Sequence, residues 1–190
     1  RQLACAYLES GRGKNYLAAM ACGANYAWAN RQILMHKTRE VFEKTLRMSP
    51  RDVNMRLVYD VCHNIAKIEE FNLGGRVRKL CVHRKGATRA FPAGHPAVPQ
   101  RYRNVGQPVL IPGDMGTGSY VLVGQPKAME ETFGSACHGA GRVMSRSQAI
   151  KNSRGRSIAR ELSEKGVLVM AGSKGTLSEE MPEAYKNVQD

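Results

Sequence analysis

Hydrophobic and polar positions along this chain switch between helical and strand-like spacing, with glycine and proline at the breaks. Residues 13–45 are dense in Ala, Met and Leu and contain no proline, which predicts a long helix. Residues 49–52 resemble a helix start, because proline follows serine and an acid lies three positions after the serine. Residues 57–62 and 77–83 are rich in strand formers, and the Asn-Leu-Gly-Gly run at 72–75 predicts a turn between them. We therefore expect an antiparallel hairpin with a long first arm.

The second half of the chain breaks into shorter segments. Residues 84–107 carry several prolines and much charge, which is typical of a loop. A tight glycine loop at residues 112–118 separates two short apolar runs. The remaining predicted elements are strands at 109–111, 119–123 and 167–171 and helices at 142–151 and 156–165. Hairpin-like neighbours without regular β-α-β alternation predict an α+β fold with antiparallel sheets.

Charge and cysteine content narrow the class of protein. The 190 residues include 29 Lys and Arg against 16 Asp and Glu, a net charge of +13, which favours a polyanionic partner over an ordinary basic protein. The five cysteines are widely spaced without a C-x-x-C pair, which disfavours a zinc ribbon and favours free thiols in a reducing compartment. No run approaches the roughly 20 apolar residues of a membrane span, and no leader-like segment is visible. We therefore expect a cytoplasmic protein without a membrane partner.

The sequence Cys-His-Gly-Ala-Gly-Arg at residues 137–142 holds the strongest candidate chemistry. Two glycines let backbone N–H groups approach a ligand closely, and a helix start is predicted directly afterwards. Arg142 and Arg146 would then lie on one helical face as a fork for phosphate oxygens. This pattern indicates a histidine, His138, poised over phosphate. A glycine turn before a basic surface helix explains the same residues, and both interpretations stay open at this point.

Other polar positions allow weaker hypotheses from the residues alone. Glycine loops at residues 83–89 and 112–119 follow predicted strands and could join 137–142 around a nucleotide, although no Walker loop is present. His63 follows a predicted strand, where it could bind a metal or satisfy a core hydrogen bond. Tyr185 is equally consistent with a packed terminal aromatic residue.

Five segments together resemble the RtcB family of GTP- and manganese-dependent RNA ligases, which act in tRNA splicing and RNA repair. They contain Asn-Tyr-Ala-Trp-Ala-Asn-Arg-Gln, His-Asn-Ile-Ala-Lys and Cys-His-Gly-Ala-Gly-Arg with Met-Ser-Arg, in this order. The segments are residues 25–32, 60–67, 83–92, 106–123 and 137–146. The similarity runs through essentially the whole chain and corresponds to the middle and later part of the family protein. It implies an incomplete RtcB-like domain over residues 1–190, with helices covering the antiparallel sheets.

The resemblance implies a reaction that joins an RNA 3′-phosphate, or a 2′,3′-cyclic phosphate after hydrolysis, to a 5′-hydroxyl. His138 would attack the α-phosphate of GTP, and the guanylyl group would move to the RNA 3′-phosphate. The 5′-hydroxyl would then displace GMP. An imidazole nitrogen is a suitable nucleophile, and the P–N bond is reactive enough to pass the nucleotide on. Divalent manganese would neutralise phosphate charge.

The same resemblance assigns a role to other residues of the chain. His63 would be a manganese ligand, and Ala140 and Gly141 would hold ribose or phosphate through their backbone groups. Asp114 replaces a serine found in some members, and it could accept from guanine N–H groups or only shape the loop. The remaining assignments are a guanine pocket of Pro112, Ser119 and Tyr185, and phosphate contacts from Lys85, Arg142 and Arg146.

The resemblance also implies what the chain lacks. The family's other metal ligands, an Asp, a Cys and two His, would lie upstream, and a guanine-contacting lysine would lie beyond Asp190. Because one histidine cannot build a manganese site, we expect the 190-residue chain alone to be inactive. A noncatalytic RNA-binding fragment and a metal-dependent phosphohydrolase are the alternatives. Some family members work with an activating protein, archease, which is a further possible partner beside RNA and GTP.

Overall fold

A computed structural model describes residues 4–189, without the side chain of residue 174. The chain divides into two compact units, the first ending at Lys85 and the second beginning at Gly86. Both combine helices with antiparallel strand pairs, so the predicted α+β class with antiparallel pairing is confirmed. That helices cover these sheets, and that residues 1–190 form one partial catalytic domain, stay predictions. None of the described helices has the length and apolarity needed to cross a bilayer.

The first unit begins with the predicted long helix, α1 (Gly11–Leu46). Ser10 caps its first turn by accepting a hydrogen bond from the backbone N–H of Gly13. The helix ends where Arg47 adopts a left-handed conformation. The predicted serine-proline start is confirmed as a single turn, α2 (Pro50–Val53), whose cap Ser49 accepts from the N–H of Asp52.

A ten-by-ten hairpin completes the first unit. Strands β1 (Asn64–Leu73) and β2 (Arg76–Lys85) pair antiparallel from Leu73 opposite Arg76 to Asn64 opposite Lys85. Gly74 and Gly75 connect them with φ of 60° and 81°, a two-residue turn that glycine forms without strain. The predicted turn and second strand are therefore confirmed, while the first arm is misplaced: residues 57–62 form no strand. The glycine turn fixes the register, and β2 pairs along its full length with residues 64–73.

One face of this hairpin contains a buried ion pair. The guanidinium of Arg84 donates to both carboxylate oxygens of Glu69, at 3.1 and 2.7 Å. The side chains are only 1% and 8% exposed, and Ile65 and Phe71 are buried on the same strand pair. On the opposite face, His83 contacts the hydroxyl of Tyr16 in α1 at 3.0 Å. Thus a charged pair is buried together with apolar side chains on this face of the hairpin.

The second unit contains two further antiparallel pairs and four short helices. β3 (Ala87–Arg89) pairs with β6 (Ser135–Cys137), and β4 (Pro108–Ile111) pairs with β5 (Tyr120–Val123). The predicted strands at 109–111 and 119–123 are thus confirmed, whereas β3 and β6 were not predicted. The helices are α3 (Pro126–Thr132), α4 (Arg146–Asn152), α5 (Ile158–Glu164) and α6 (Lys174–Glu179).

Two predicted elements of the second unit are corrected. The helix expected from residue 142 begins at Arg146, because Ser145 is its N-cap and accepts from the N–H of Gln148. Arg142 instead lies in extended backbone and forms an isolated antiparallel bridge with Tyr185. No strand forms at residues 167–171, although Val167 and Val169 pack on the hydrophobic core. Hydrophobic burial here does not require a partner strand.

The core of the second unit lies between α4, α5 and a 3₁₀ turn at Pro182–Ala184. Its fully buried members are Ala149, Ile158, Leu162, Met181 and Ala184, and Tyr185 packs against them. Arg156 binds Glu161 at 2.5 Å and Glu183 at 2.7 Å, which links α5 to the 3₁₀ turn. The guanidinium lowers the pKa of both carboxyl groups through these hydrogen bonds. These ion pairs stabilise the 3₁₀ turn that directly precedes Tyr185.

Candidate functional site

His138 follows directly after strand β6, at the end of its ladder with β3. Ala87 lies opposite Cys137, so the next residues outward, Gly86 and His138, meet beyond the last pair. Gly86 has φ of 70°, and a Cβ placed on it would lie 3.5 Å from Cε1 and 3.6 Å from Nδ1 of the imidazole. The Gly86 backbone therefore lies directly against the His138 ring.

The two nitrogen atoms of His138 differ in their environment. The residue as a whole is half-buried, but its Nδ1 atom is shielded from solvent. The ring also lines an open cleft. Because Nδ1 is covered, Nε2 is the nitrogen from which a ligand in the cleft would be approached.

The cleft has a volume of about 720 Å³ and lies within the second unit. Its walls are the 112–115 segment, the glycine turn after His138, and the segment around Tyr185. The lining residues are Pro112, Gly113, Asp114, Met115, His138, Gly139, Ala140, Gly141, Arg142, Glu180, Tyr185 and Lys186. A space of this size falls in the range of small-molecule and nucleotide sites.

The glycine loop at residues 112–119 forms one wall through its own hydrogen bonds. Ser119 Oγ accepts from the N–H of Gly113 at 3.1 Å, and Asp114 Oδ1 accepts from the N–H of Gly116 at 2.6 Å. A Cβ on Gly113 would lie only 2.1 Å from the carbonyl oxygen of Gly118, so no larger residue fits there. Of the two roles left open for Asp114, it performs the loop-shaping one, and its contact with a base stays a prediction. Ser119 supports the loop from outside the cleft lining.

Arg142 is the centre of a hydrogen-bond network on the opposite wall. Its Nη1 donates to Glu180 Oε2 at 3.0 Å and to Tyr185 Oη at 2.7 Å, and the Tyr185 hydroxyl donates to Glu180. Nη2 and Nε donate to the carbonyl oxygens of Glu179 and Met144, at 2.5 and 3.1 Å. The guanidinium carbon also lies 4.7 Å from the centre of the Tyr185 ring, a cation–π distance. The network fixes the tyrosine ring against the cleft.

The arrangement of Arg142 and Arg146 in this network differs from the predicted one. They do not share a helical face, because Arg142 precedes α4 and Arg146 is its first residue. They meet at Glu180 instead, with Arg146 Nε 3.5 Å from Oε1. Arg146 is largely exposed, at 71% of its side chain, whereas Arg142 makes four hydrogen bonds within the network. Phosphate contacts from both residues stay predictions.

The remaining predicted site residues lie in the first unit. His63 is exposed and directly precedes β1, so the expectation that it follows a strand is wrong. Lys85 is exposed at the end of β2. Within residues 4–189, no three His, Cys, Asp or Glu side chains converge in a group that could hold a metal ion. The roles of His63 in metal binding and of Lys85 in phosphate binding stay predictions.

Two residues of the site were not predicted from the sequence. Gly86 belongs to a predicted glycine loop, but its contact with His138 depends on the pairing of β3 with β6. Glu180 lies 38 residues after Arg142, in a polar stretch without helical or strand periodicity. No local spacing signal marks it, since its role depends on tertiary contacts alone.

Comparisons with known proteins identify the family. The family model described as tRNA-splicing ligase RtcB matches residues 1–190. Proteins named tRNA-splicing ligase RtcB from Archaeoglobus fulgidus and Methanococcus maripaludis are 60% and 55% identical to this chain over all of its residues. A third from Methanocaldococcus jannaschii is 57% identical over 188 residues, which is 99% of the chain.

The chain is shorter than these relatives. It spans 39% and 40% of the first two and 19% of the third. The match nevertheless includes every residue of the cleft, since the family model extends over the whole chain. The chain therefore belongs to the RtcB family.

Proposed function

We propose that this chain supplies the nucleotide-transfer site of a GTP- and manganese-dependent RNA ligase. The enzyme would join an RNA 3′-phosphate or 2′,3′-cyclic phosphate end to a 5′-hydroxyl, in tRNA splicing or RNA repair. Family membership and the relatives' name, tRNA-splicing ligase, support a ligase. The single structural observation behind the proposal is the position of His138, whose ring lines a 720 Å³ cleft beside a glycine turn and a glycine loop.

The first step is the transfer of GMP to His138. Nε2 attacks the α-phosphorus of GTP, a P–N bond forms, and the bond to the bridging oxygen breaks as pyrophosphate leaves. The shielded Nδ1 carries the ring proton before attack, so that Nε2 has a free electron pair. Gly86 holds the ring plane while Gly139, Ala140 and Gly141 offer close backbone approach to phosphate or ribose.

The following steps transfer the nucleotide to RNA and seal the strand. An oxygen of the RNA 3′-phosphate attacks the same phosphorus, and the P–N bond breaks to restore the imidazole. The 5′-hydroxyl then attacks the RNA phosphate, loses its proton and displaces GMP, which leaves a phosphodiester. Tyr185, held by Arg142 and Glu180, would place guanine together with Pro112. Arg146 and Lys85, both exposed, would contact phosphates.

The residues at hand do not form a complete manganese site. Within the described part of the chain, no group of three or more potential ligand side chains converges, whereas such sites use several ligands. We assign no reaction step to the metal on this chain. Manganese dependence is proposed for a longer family protein, in which His63 would be one ligand among others.

It follows that the 190-residue chain alone should not seal RNA. A second candidate function for the chain by itself is noncatalytic RNA binding, favoured by its net charge of +13 and the missing metal group. A ligation assay with the isolated chain tests its dependence on further segments of the protein. Robust turnover would contradict the proposed dependence on further segments, and binding without turnover is expected.

The catalytic proposal is best tested in a chimera. The segment of the Archaeoglobus fulgidus relative that aligns with this chain over all 190 residues is replaced by this chain. The chimera is incubated with α-labelled GTP and manganese, and retained label is measured before and after acid treatment. We expect an acid-labile adduct that disappears in His138→Ala and persists in His36→Ala, since His36 is an exposed residue paired with Glu40 on α1.

The alternatives give different results in the same assay. A phosphohydrolase would release labelled product without retaining nucleotide, and a simple RNA binder would do neither. Label that survives in the His138→Ala chimera would assign the nucleophile to another residue and refute the proposal. Adding archease to the reaction tests the remaining partner prediction, through its effect on turnover.

A further inference from the structure

A second candidate binding surface lies in the first unit, outside the cleft that holds His138. It is a groove of about 500 Å³ between the end of α1, helix α2 and the residues that follow α2. We call it the basic groove; its lining residues are Arg39, Glu43, Pro50, Arg51, Val53, Asn54, Met55 and Arg56. The lining contains three arginines and one glutamate, so the groove carries excess positive charge.

The arginines of the basic groove differ from the arginines that the fold uses in ion pairs. Within residues 4–189, neither Arg39, Arg51 nor Arg56 lies within 4.0 Å of a carboxylate oxygen, although Glu43 is a neighbour in the groove. Several arginines elsewhere in the chain form ion pairs with acids. The neutralised pairs are Arg31 with Asp60, Arg84 with Glu69, Arg142 with Glu180, Arg156 with Glu161 and Arg160 with Glu164.

Two of these guanidinium groups are held in place by hydrogen bonds that leave other donors available. Arg39 Nε donates to the carbonyl oxygen of Met55 at 3.1 Å, and Arg56 Nε donates to Asn54 Oδ1 at 2.8 Å. Asn54 is itself fixed in a left-handed conformation, with its N–H bonded to the carbonyl of Pro50. The Nη atoms of both arginines remain to bind an anion. Because the side chains are already ordered, less conformational entropy is lost on binding.

We propose that the basic groove binds the phosphodiester backbone of RNA. The inference rests on the proposed function, which makes RNA the polyanion available to this protein. Paired guanidinium forks match phosphate oxygens. The lining contains no aromatic side chain on which a base could stack, so the contact positions the strand without reading its sequence. The groove would hold RNA at a distance along the chain from the nucleotide-transfer residues.

Binding of single-stranded RNA to the 190-residue chain tests this inference. A fluorescent RNA of about 12 nucleotides is titrated by anisotropy at about 50 and about 200 mM NaCl. For two lost phosphate contacts, the salt slope should fall by about 1.4 and the affinity near 150 mM salt by about tenfold. The variant is Arg51→Gln with Arg56→Gln, since both side chains are exposed and their removal leaves the packing intact.

Two further double variants make the result specific. Arg12→Gln with Arg154→Gln removes the same charge from exposed positions outside both the groove and the cleft, and we expect a loss below about threefold. Arg51→Lys with Arg56→Lys keeps the charge and should recover most of the affinity, which a misfolded protein would not. Circular dichroism checks the helix content of each.

The outcomes separate this inference from the proposed function. If the parent chain does not bind RNA at all, the groove is refuted, and the ligase proposal is decided separately by the labelling of the chimera. If the parent binds but the groove variant and the charge-matched variant lose the same affinity, the groove is refuted while the ligase proposal stands. If the groove variant loses melting temperature and no RNA affinity in the chimera, the groove packs against another protein segment, and the inference is again wrong.

Discussion

The buried pair between Glu69 and Arg84 gives the most direct test of the hairpin's energetics. Glu69→Ala would leave the Arg84 guanidinium, which is 1% exposed, without its bidentate partner in a desolvated position. Removing one member of such a pair costs about 3–5 kcal/mol, because the remaining charge stays buried without the carboxylate that it faced. With an m value of about 1–3 kcal/mol/M, the urea midpoint should fall by about 1–5 M.

The neighbouring glutamate on the same strand is a matched control. Glu70 points to the other face, and its carboxylate is 3.8 Å from the ammonium of Lys79, with side chains that are 62% and 74% exposed. Glu70→Ala should therefore cost less than about 1 kcal/mol. The two variants remove the same carboxylate from adjacent positions of one strand, so their difference compares a buried bidentate pair with an exposed ion pair.

Urea unfolding followed by tryptophan fluorescence is the appropriate assay. Trp28 is the only tryptophan of the chain and lies in the same unit, with Lys67 Nζ 5.8 Å from its ring. A double variant, Glu69→Leu with Arg84→Met, should recover most of the lost stability, since an apolar pair of similar volume avoids the desolvation cost. Equal midpoints for Glu69→Ala and Glu70→Ala would refute the reasoning.

Three further predictions concern the second unit. In the chimera, Gly86→Ala should slow the labelling of His138 by about tenfold, because relief of the backbone strain at φ of 70° moves the segment that contacts the ring. Gly155→Ala has a similar φ of 76° but no atom within 4 Å of its Cβ, and it should not slow labelling. Glu180→Gln keeps an acceptor for its two donors but removes a negative charge, so GTP should bind about threefold tighter by calorimetry; weaker binding would contradict this. Arg156 lowers the pKa of its two glutamate partners from the ordinary 4.5, so its stabilisation is present above pH 4.5 and lost as pH falls through the lowered pKa. The melting temperatures of the parent and Arg156→Gln should differ near pH 6 and converge near pH 3; a constant difference would refute this.

The hairpin illustrates how far the sequence leads. The two consecutive glycines at 74–75 predict the turn, because a tight hairpin needs left-handed backbone that glycine adopts freely. The first arm was misplaced because residues 57–62 are apolar while β1 contains two consecutive glutamates. In sequence patterns, a charged residue argues against a buried strand unless the residue that neutralises it is known. Here the partner, Arg84, lies across the turn, which spacing rules do not consider.

The candidate site divides in a similar way. His138 and its glycine turn are adjacent in sequence, so the close backbone approach is visible from the residue types alone. The loop at 112–118 is likewise predicted, since its internal hydrogen bonds join residues two to six positions apart. Gly86 and Glu180 act over 52 and 38 or more positions through β pairing and side-chain contact. Local patterns contain no information on contacts of that range.

Arg142 shows why a residue can be selected correctly for an incorrect geometric reason. Its four-residue spacing from Arg146 predicts one helical face, but the Ser145 cap starts the helix three residues after Arg142. Both guanidinium groups still converge, because Glu180 attracts each of them from a different element. The carboxylate thus occupies the place that a phosphate would take in the predicted fork. A phosphate that takes the place of Glu180 on Arg142 also removes an acceptor of the Tyr185 hydroxyl, so phosphate affinity and tyrosine placement are coupled through one carboxylate. For this reason Glu180→Gln should strengthen GTP binding, whereas Glu180→Ala should weaken it. The amide retains the tyrosine contact without the competing charge, and alanine removes both.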